Sequence, residues 1–531
     1  MSTDTSSARG EASPRESAGA EAATIADDVK TLHSLGYAQE LLRRMSAFSN
    51  FAISFSIICI LAGGITSFQL GFCSVGGAAI GIGWPLCCLI TVAMALTMSQ
   101  VASAFPTAGG LYHWSSFLGG RGWGWVTAWF NLAGLVTVLA AINVGAYLFT
   151  FGWLGPLFGV TLADLSPTQV FVAQAVGVSV ITFSQALFNH LGIRVTTLLT
   201  DFSGYLILVV AVLLTVTLLV TAPHLDFARL VTFKNYSGPP GGDTWPQTSN
   251  MNLLFLLGFL LPAYTITGYD ASAHTSEETV GAAVNVPRGI LRAVVVSGVA
   301  GWVMISAITL AAPDMDAAAA KGADVVFFII NSVVPRPLAI ALYAGITLAQ
   351  YLCGLATVTS ASRMTFAFAR DGGLPFSQKL RRVSPTSRTP ATAIWTTAVF
   401  TVAFTLYTPV YASITAVCVI FLYISYVLPT GLGLFAYGRS WVKMGPFQLG
   451  AWYRPLAVVS VLGCALVIVV SFQLDKALPV TLGAALVTLV VWFSFERRRF
   501  QGPPNGLTEQ GTGASQAASI AAAERAVGQR S

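Results

Sequence analysis

Pro262-Ala263-Tyr264-Thr265-Ile266-Thr267-Gly268-Tyr269-Asp270 interrupts an apolar run that extends from Asn252 to Ala273. Ala62-Gly63-Gly64-Ile65-Thr66 does the same near the middle of a run from Phe48 to Phe72. Proline removes a backbone donor and glycine relaxes the backbone, so each stretch breaks a helix that its neighbours would continue. Glycine and proline also serve helix packing in membranes, and either break alone fits that role. Lipid accepts non-helical backbone only where protein buries it or a cavity takes it up. What decides between these readings is where the two breaks fall in the order of apolar runs.

The chain has 531 residues, 55% hydrophobic and only 9% charged, with mean hydropathy +0.71, which excludes an ordinary soluble domain. A helical span needs about 20 apolar residues. Twelve runs qualify, the first five being Phe48 to Phe72, Ala78 to Ala102, Trp123 to Phe151, Thr168 to Leu187 and Val195 to Thr221. The others are Asn252 to Ala273, Ile290 to Ala311, Leu338 to Ala361, Ala391 to Tyr407, Tyr411 to Ala436, Pro455 to Phe472 and Leu478 to Phe495. The breaks therefore fall in runs one and six, the same position in two successive sets of five. Five is odd, so two such repeats have opposite orientation, and paired interruptions in them point to a transporter's binding site.

Lys and Arg accumulate on the cytoplasmic side of membrane proteins. With the amino terminus inside, only Arg229, Lys234, Lys321, Arg336 and Lys476 of the 28 basic residues fall outside, which places both termini in the cytoplasm. The net charge of +6 then reflects topology and attraction to the inner leaflet, with no need for a nucleic-acid partner. Residues 1–45 lack a signal-type apolar run and, like residues 501–531, are expected to be disordered cytoplasmic tails around a transporter domain at 46–500.

Enzyme and metal chemistry find little support. The seven cysteines have no metal-site spacing. No Gly-Lys-Ser/Thr nucleotide loop is present, and His274-Thr275-Ser276-Glu277-Glu278 lacks the second histidine of a zinc helix and reads as a solvated helix end. A passive pore needs rings of polar groups or a symmetric oligomer, which asymmetric paired breaks do not supply. No cofactor is expected beyond a coupling ion, H+ or Na+.

Three segments carry a family resemblance. Gly268-Tyr269-Asp270-Ala271-Ser272-Ala273-His274 through Pro287-Arg288 resembles the link between helices six and seven in amino acid permeases of the amino acid, polyamine and organocation superfamily, closest to its amino acid and choline transporter branch. Ala104-Phe105-Pro106-Thr107-Ala108-Gly109-Gly110-Leu111-Tyr112 and Ser360-Ala361-Ser362-Arg363 through Arg370-Asp371 to Pro375 agree with it. The resemblance implies an all-α polytopic membrane protein of leucine-transporter-like fold: 12 transmembrane helices, a 5+5 inverted repeat and two C-terminal helices. It also implies a secondary active transporter of the plasma membrane, by symport or exchange, with an amino acid or related small amine held between the two breaks.

Carried onto this chain, the resemblance sets amides around Ala62, Gly63, Gly64, Ile65 and Thr66 against a carboxylate. Carbonyls from Tyr264 through Thr265, Ile266 and Thr267 to Gly268 would take an amine. Opposed half-helix dipoles favour the same arrangement on physical grounds, without a buried charged side chain. A choline-like substrate would leave the amides without an anion. Tyr264 and Phe259 are expected as an aromatic lid. The fold's sodium position lies near Thr357, Thr359 and Ser360, and segment five contains no lysine to replace a cation there. Asp270 and Arg363 share the cytoplasmic half, so an Asp270–Arg363 inner gate is expected, with Asp201 or Glu277 as substitute partners and capping of the inner half-helix as the alternative role for Asp270.

Overall fold

The computed structural model describes residues 14–161, 164–407, 411–473, 477–504 and 514–528. Arg9, Lys476, Arg530 and the remaining stretches of both expected tails lie outside them. Among the described residues regular structure is entirely helical. Among the described residues ten helices are long and apolar enough to cross a membrane. The sixth and ninth expected spans are shorter, Met251–Thr265 and Ala391–Tyr407. The sixth is cut by its own break. The ninth has 17 residues and covers about 25 Å at 1.5 Å per residue, less than the hydrocarbon core.

Two segments outrun their apolar stretches on the face that carries the termini. Segment seven begins at Ala282, with Pro287 inside it, and segment eight continues to Arg370. Protein rather than lipid surrounds these extensions, so hydropathy does not mark them.

The packing displays the repeat. Segments three and eight, Arg121–Leu154 and Arg336–Arg370, are the longest and contact each other, as do two and seven. Ten packs on three as five packs on eight, nine on three as four on eight, and ten on two as five on seven. Exchanging the first five segments for the second five maps each of these contacts onto itself or onto another of them. Segment eleven, Tyr453–Ser471, leans on ten and two, while twelve is largely exposed against ten.

Both tails depart from expectation. Pro14–Ser34 and Ala514–Ala526 are helices. Leu32, Leu35, Tyr37 and Leu41, scattered in a polar stretch, are buried beneath the bundle. The Asp28 carboxylate accepts from the amides of Gly281 and Ala282 at 2.7 and 3.1 Å, which are otherwise unsatisfied at the start of segment seven. Burial pushes the Asp28 carboxyl above its ordinary value, while Arg43 and those amides pull it back. At the other end Glu524 meets the His33 ring at 2.7 Å and accepts from the Gln39 amide at 3.1 Å. Arg388 spans both pieces through the carbonyls of Glu40 and Val527.

The supposed solvated end at His274–Glu278 is fully buried. Glu278 takes Arg363 in a two-pronged pair, both contacts 2.9 Å, and neither side chain is exposed. Such a fork restores much of the hydration that each ion loses. Glu278→Gln should strand the guanidinium and destabilise the protein by about 3–5 kcal/mol, read as an earlier thermal transition of the detergent-purified chain. An unchanged transition would show the pair to be dispensable.

Candidate functional site: two facing helix breaks

Segment one leaves the helix at Cys59, whose φ of 17° and ψ of 87° end Ala47–Ile58, and resumes at Gly63–Thr66. The break thus lies slightly earlier than the sequence suggests. The amides of Gly63 and Thr66 are used locally, donating to Cys59 and Ala62 carbonyls at 3.0 Å each. Those of Gly64 and Ile65 have no acceptor among the described residues. In segment six the chain is non-helical from Ile266 to Asp270, turning at Gly268 with φ 83°. The Tyr264 carbonyl accepts from Thr267 Oγ1 and the Gly268 carbonyl from the Ala271 amide, while those of Thr265, Ile266 and Thr267 accept nothing from described residues. The Gly64 and Ile65 amides are thus unpaired at one break and the Thr265 to Thr267 carbonyls at the other, while the Ile60 carbonyl at the first and the Thr267, Tyr269 and Asp270 amides at the second also lack partners among the described residues.

The breaks touch. A Cβ on Gly63 would lie 2.8 Å from the Thr265 Cα, so only glycine permits this approach. Beside them is a cavity of about 10 Å³ lined by Ile58, Gly63, Val138, Ile142, Tyr264 and Cys353, among others. That is room for about one water, so an amino acid enters only when the segments part. A larger apolar hollow lined by Trp129, Phe376 and Phe400 includes no residue of either break.

Tyr264 packs against another aromatic ring, but that ring is not Phe259. The Tyr411 ring, at the start of segment ten, meets Tyr264 edge to face at 6.3 Å, and its hydroxyl is 2.6 Å from Thr66 Oγ1. Phe259 packs on Phe255 at 5.4 Å, outside the lining of the cavity. Tyr411 escaped the sequence reading because one tyrosine at the end of an apolar run carries no local signature.

The three hydroxyls expected near the ion position differ in their contacts. Thr359 Oγ1 donates to Asn189 Oδ1 at 2.7 Å and Thr357 to the Cys353 carbonyl at 2.9 Å, while Ser360 Oγ is buried without a partner. From segment eight, Gln350 and the Cys353 thiol donate to the carbonyls of Leu61 and Ile57, flanking the first break.

Asp270 and Arg363 do not meet, because Glu278 offers Arg363 both of its oxygens. Nor does Asp270 cap the half-helix Ala271–His274, which has no side-chain cap. Asp270 instead accepts from Tyr426 at 2.8 Å and Asn131 at 3.1 Å, and lies 3.3 Å from His274 Nε2. Asp201 accepts from Ser49, and Glu277 pairs with Arg370 at 2.9 and 2.8 Å. The Arg370 guanidinium lies 4.0 Å over the Tyr37 ring, and Tyr37, Tyr112 and His113 converge on Asp371. The N-terminal segment is thereby wedged beneath segments one, six and eight. On the opposite face Lys234 and Tyr236 bind Asp316 and hold its carboxyl below the ordinary value.

The model of the amino acid permease family matches residues 45–495 of this chain. The chain is 33% identical over 504 residues to the amino-acid permease BAT1 of Arabidopsis thaliana, covering 89% of this chain and 95% of the relative. It is 32% identical to the BAT1 homolog of Oryza sativa subsp. japonica, over 90% and 95%. A putative polyamine transporter of Candida albicans is 26% identical over 92% and 90%. The chain belongs to the amino acid permease family; it is a multi-pass membrane transporter and not an enzyme.

Gly63→Ala, which sets a methyl against Thr265, should abolish uptake while leaving the protein monodisperse. Tyr264→Ala should raise the half-saturation concentration or slow closure. Unchanged kinetics in liposomes would remove either residue from the site.

Proposed function

We propose that this chain carries a zwitterionic amino acid across the cytoplasmic membrane by alternating access, crossing it twelve times with both termini inside. The observation that carries this reading is the opposition of the free Gly64 and Ile65 amides to the free Thr265, Ile266 and Thr267 carbonyls across breaks in contact. A carboxylate suits the first set and an ammonium the second, each assisted by a half-helix dipole. A substrate with one charged end would leave the other set unpaired, at a cost typical of buried polar groups.

The wall around this cradle supports a neutral, aliphatic side chain. Ile58, Val138 and Ile142 are apolar, and no acidic residue lines the cavity among the described residues. A cationic side chain or a polyamine would be desolvated there without compensation. Alternating access is supported by closure on both sides: Tyr264, Tyr411 and Thr66 cover the site towards one face, and the buried charge cluster with Tyr37 covers it towards the other.

The test is uptake and exchange in liposomes against a panel of amino acids, γ-aminobutyrate, choline and spermidine. Saturable exchange of neutral amino acids, with leucine or valine competing better than lysine, is the expected result. Transport of choline or spermidine uninhibited by amino acids would overturn the zwitterion reading, and non-saturable leak would favour a pore.

A further inference from the structure

On the termini face three arginines each pair with a carboxylate. Arg363 is taken by Glu278, Arg370 by Glu277 and Arg43 by Asp28. Asp371 and Asp270 are left with one histidine each, His113 and His274. The second pair lies within segment six, directly after the break, and neither side chain has any exposed surface.

Hydrogen bonds fix where protons sit around this pair. The Gly268 amide donates to the Tyr426 hydroxyl at 3.0 Å, so the hydroxyl's own proton points to Asp270 Oδ1, 2.8 Å away. The Ala108 carbonyl only accepts, and it lies 3.0 Å from His274 Nδ1, so Nδ1 carries a proton. Between His274 Nε2 and Asp270 Oδ2, 3.3 Å apart, one further proton fits, on either atom. Removing it sets a nitrogen lone pair against a carboxylate. The ring relieves this only by turning its remaining proton to Asp270, and then its other lone pair faces the Ala108 carbonyl.

Either way a contact is lost, and the one to Ala108 joins the inner half of segment six to the turn after segment two. The Ala108 amide holds the Glu277–Arg370 pair through Glu277 Oε1 at 3.1 Å, and His113 binds Thr107 in the same turn. We propose that Asp270 and His274 form the proton-binding site that couples transport, holding one proton while the termini face is closed and releasing it as that face opens. The inference rests on the transport reading above. Titratable and charged groups facing the pair are Tyr426 from segment ten, Tyr269 from its own segment and, across the turn, Glu277 with Arg370 and His113 with Asp371. Segment three offers neutral Asn131, which donates to Asp270, while Ser54 and Asn50 of segment one bond the backbone of segment six at Tyr269 and Ser272, and Arg363 of segment eight is paired with Glu278.

The experiment uses the full chain in liposomes with labelled leucine, or whichever amino acid the panel selects. An inward proton gradient should accelerate net uptake severalfold, equally with and without sodium. Asp270→Asn and His274→Gln should lose that acceleration yet still exchange substrate. Tyr426→Phe, which deletes one donor to the carboxylate, should move the pH midpoint of uptake upward, and it decides the matter if the other variants do not fold. Wild-type uptake indifferent to the gradient, acceleration kept in both variants, or an unmoved midpoint in Tyr426→Phe would overturn the proposal. Absence of any amino acid exchange by the wild type would instead overturn the transport reading.

Discussion

A backbone amide or carbonyl that leaves a helix inside a membrane must find its partner in protein or in a bound solute. Much of this structure follows from that requirement at Cys59–Ala62 and Ile266–Asp270. Some of the freed groups are satisfied from neighbouring segments, by Gln350 and Cys353 at the first break and by Tyr426 at the second. Others, among them the amides of Gly64 and Ile65 and the carbonyls of Thr265 to Thr267, have no partner among the described residues.

Charge burial below the breaks obeys a similar rule. An ion removed from water persists only beside a counter-ion with good geometry, and here each guanidinium takes one carboxylate, twice through a two-pronged fork. These forks tie segment eight to the link between six and seven, and Tyr37 extends the tie to the N-terminal segment. Parting of the segments on this face therefore requires several buried pairs to move together. That is the behaviour of a two-position closure rather than of a gradually yielding one.

The sequence made the fold legible because apolar runs and their breakers are local signals. Segments nine and ten were read with the observed bounds, and Gly63, Gly64 and Gly268 marked the breaks to within a few residues. The site was legible as backbone and much less so as side chains. Tyr411, Tyr426, Asn131 and Gln350 are single polar or aromatic residues in apolar runs, and their roles come from segments that only the fold brings near. Glu277 and Glu278 read as solvated because carboxylates usually are, and their partners lie 93 and 85 residues further along the chain. Leu32, Tyr37 and Leu41 were hidden by the polar composition around them, although each is buried.

The C-terminal helix rests on the N-terminal segment through Glu524, His33, Gln39 and Val527. Because that segment also anchors to Asp371 through Tyr37, a displacement of the bundle on this side would carry both terminal helices with it. The two terminal helices would then serve as the handle of the proposed closure, and fluorophores attached to them would report its position as a change in energy transfer. A bulky fusion at the carboxyl end would load the same handle, and a cleavable one is the better choice for purification.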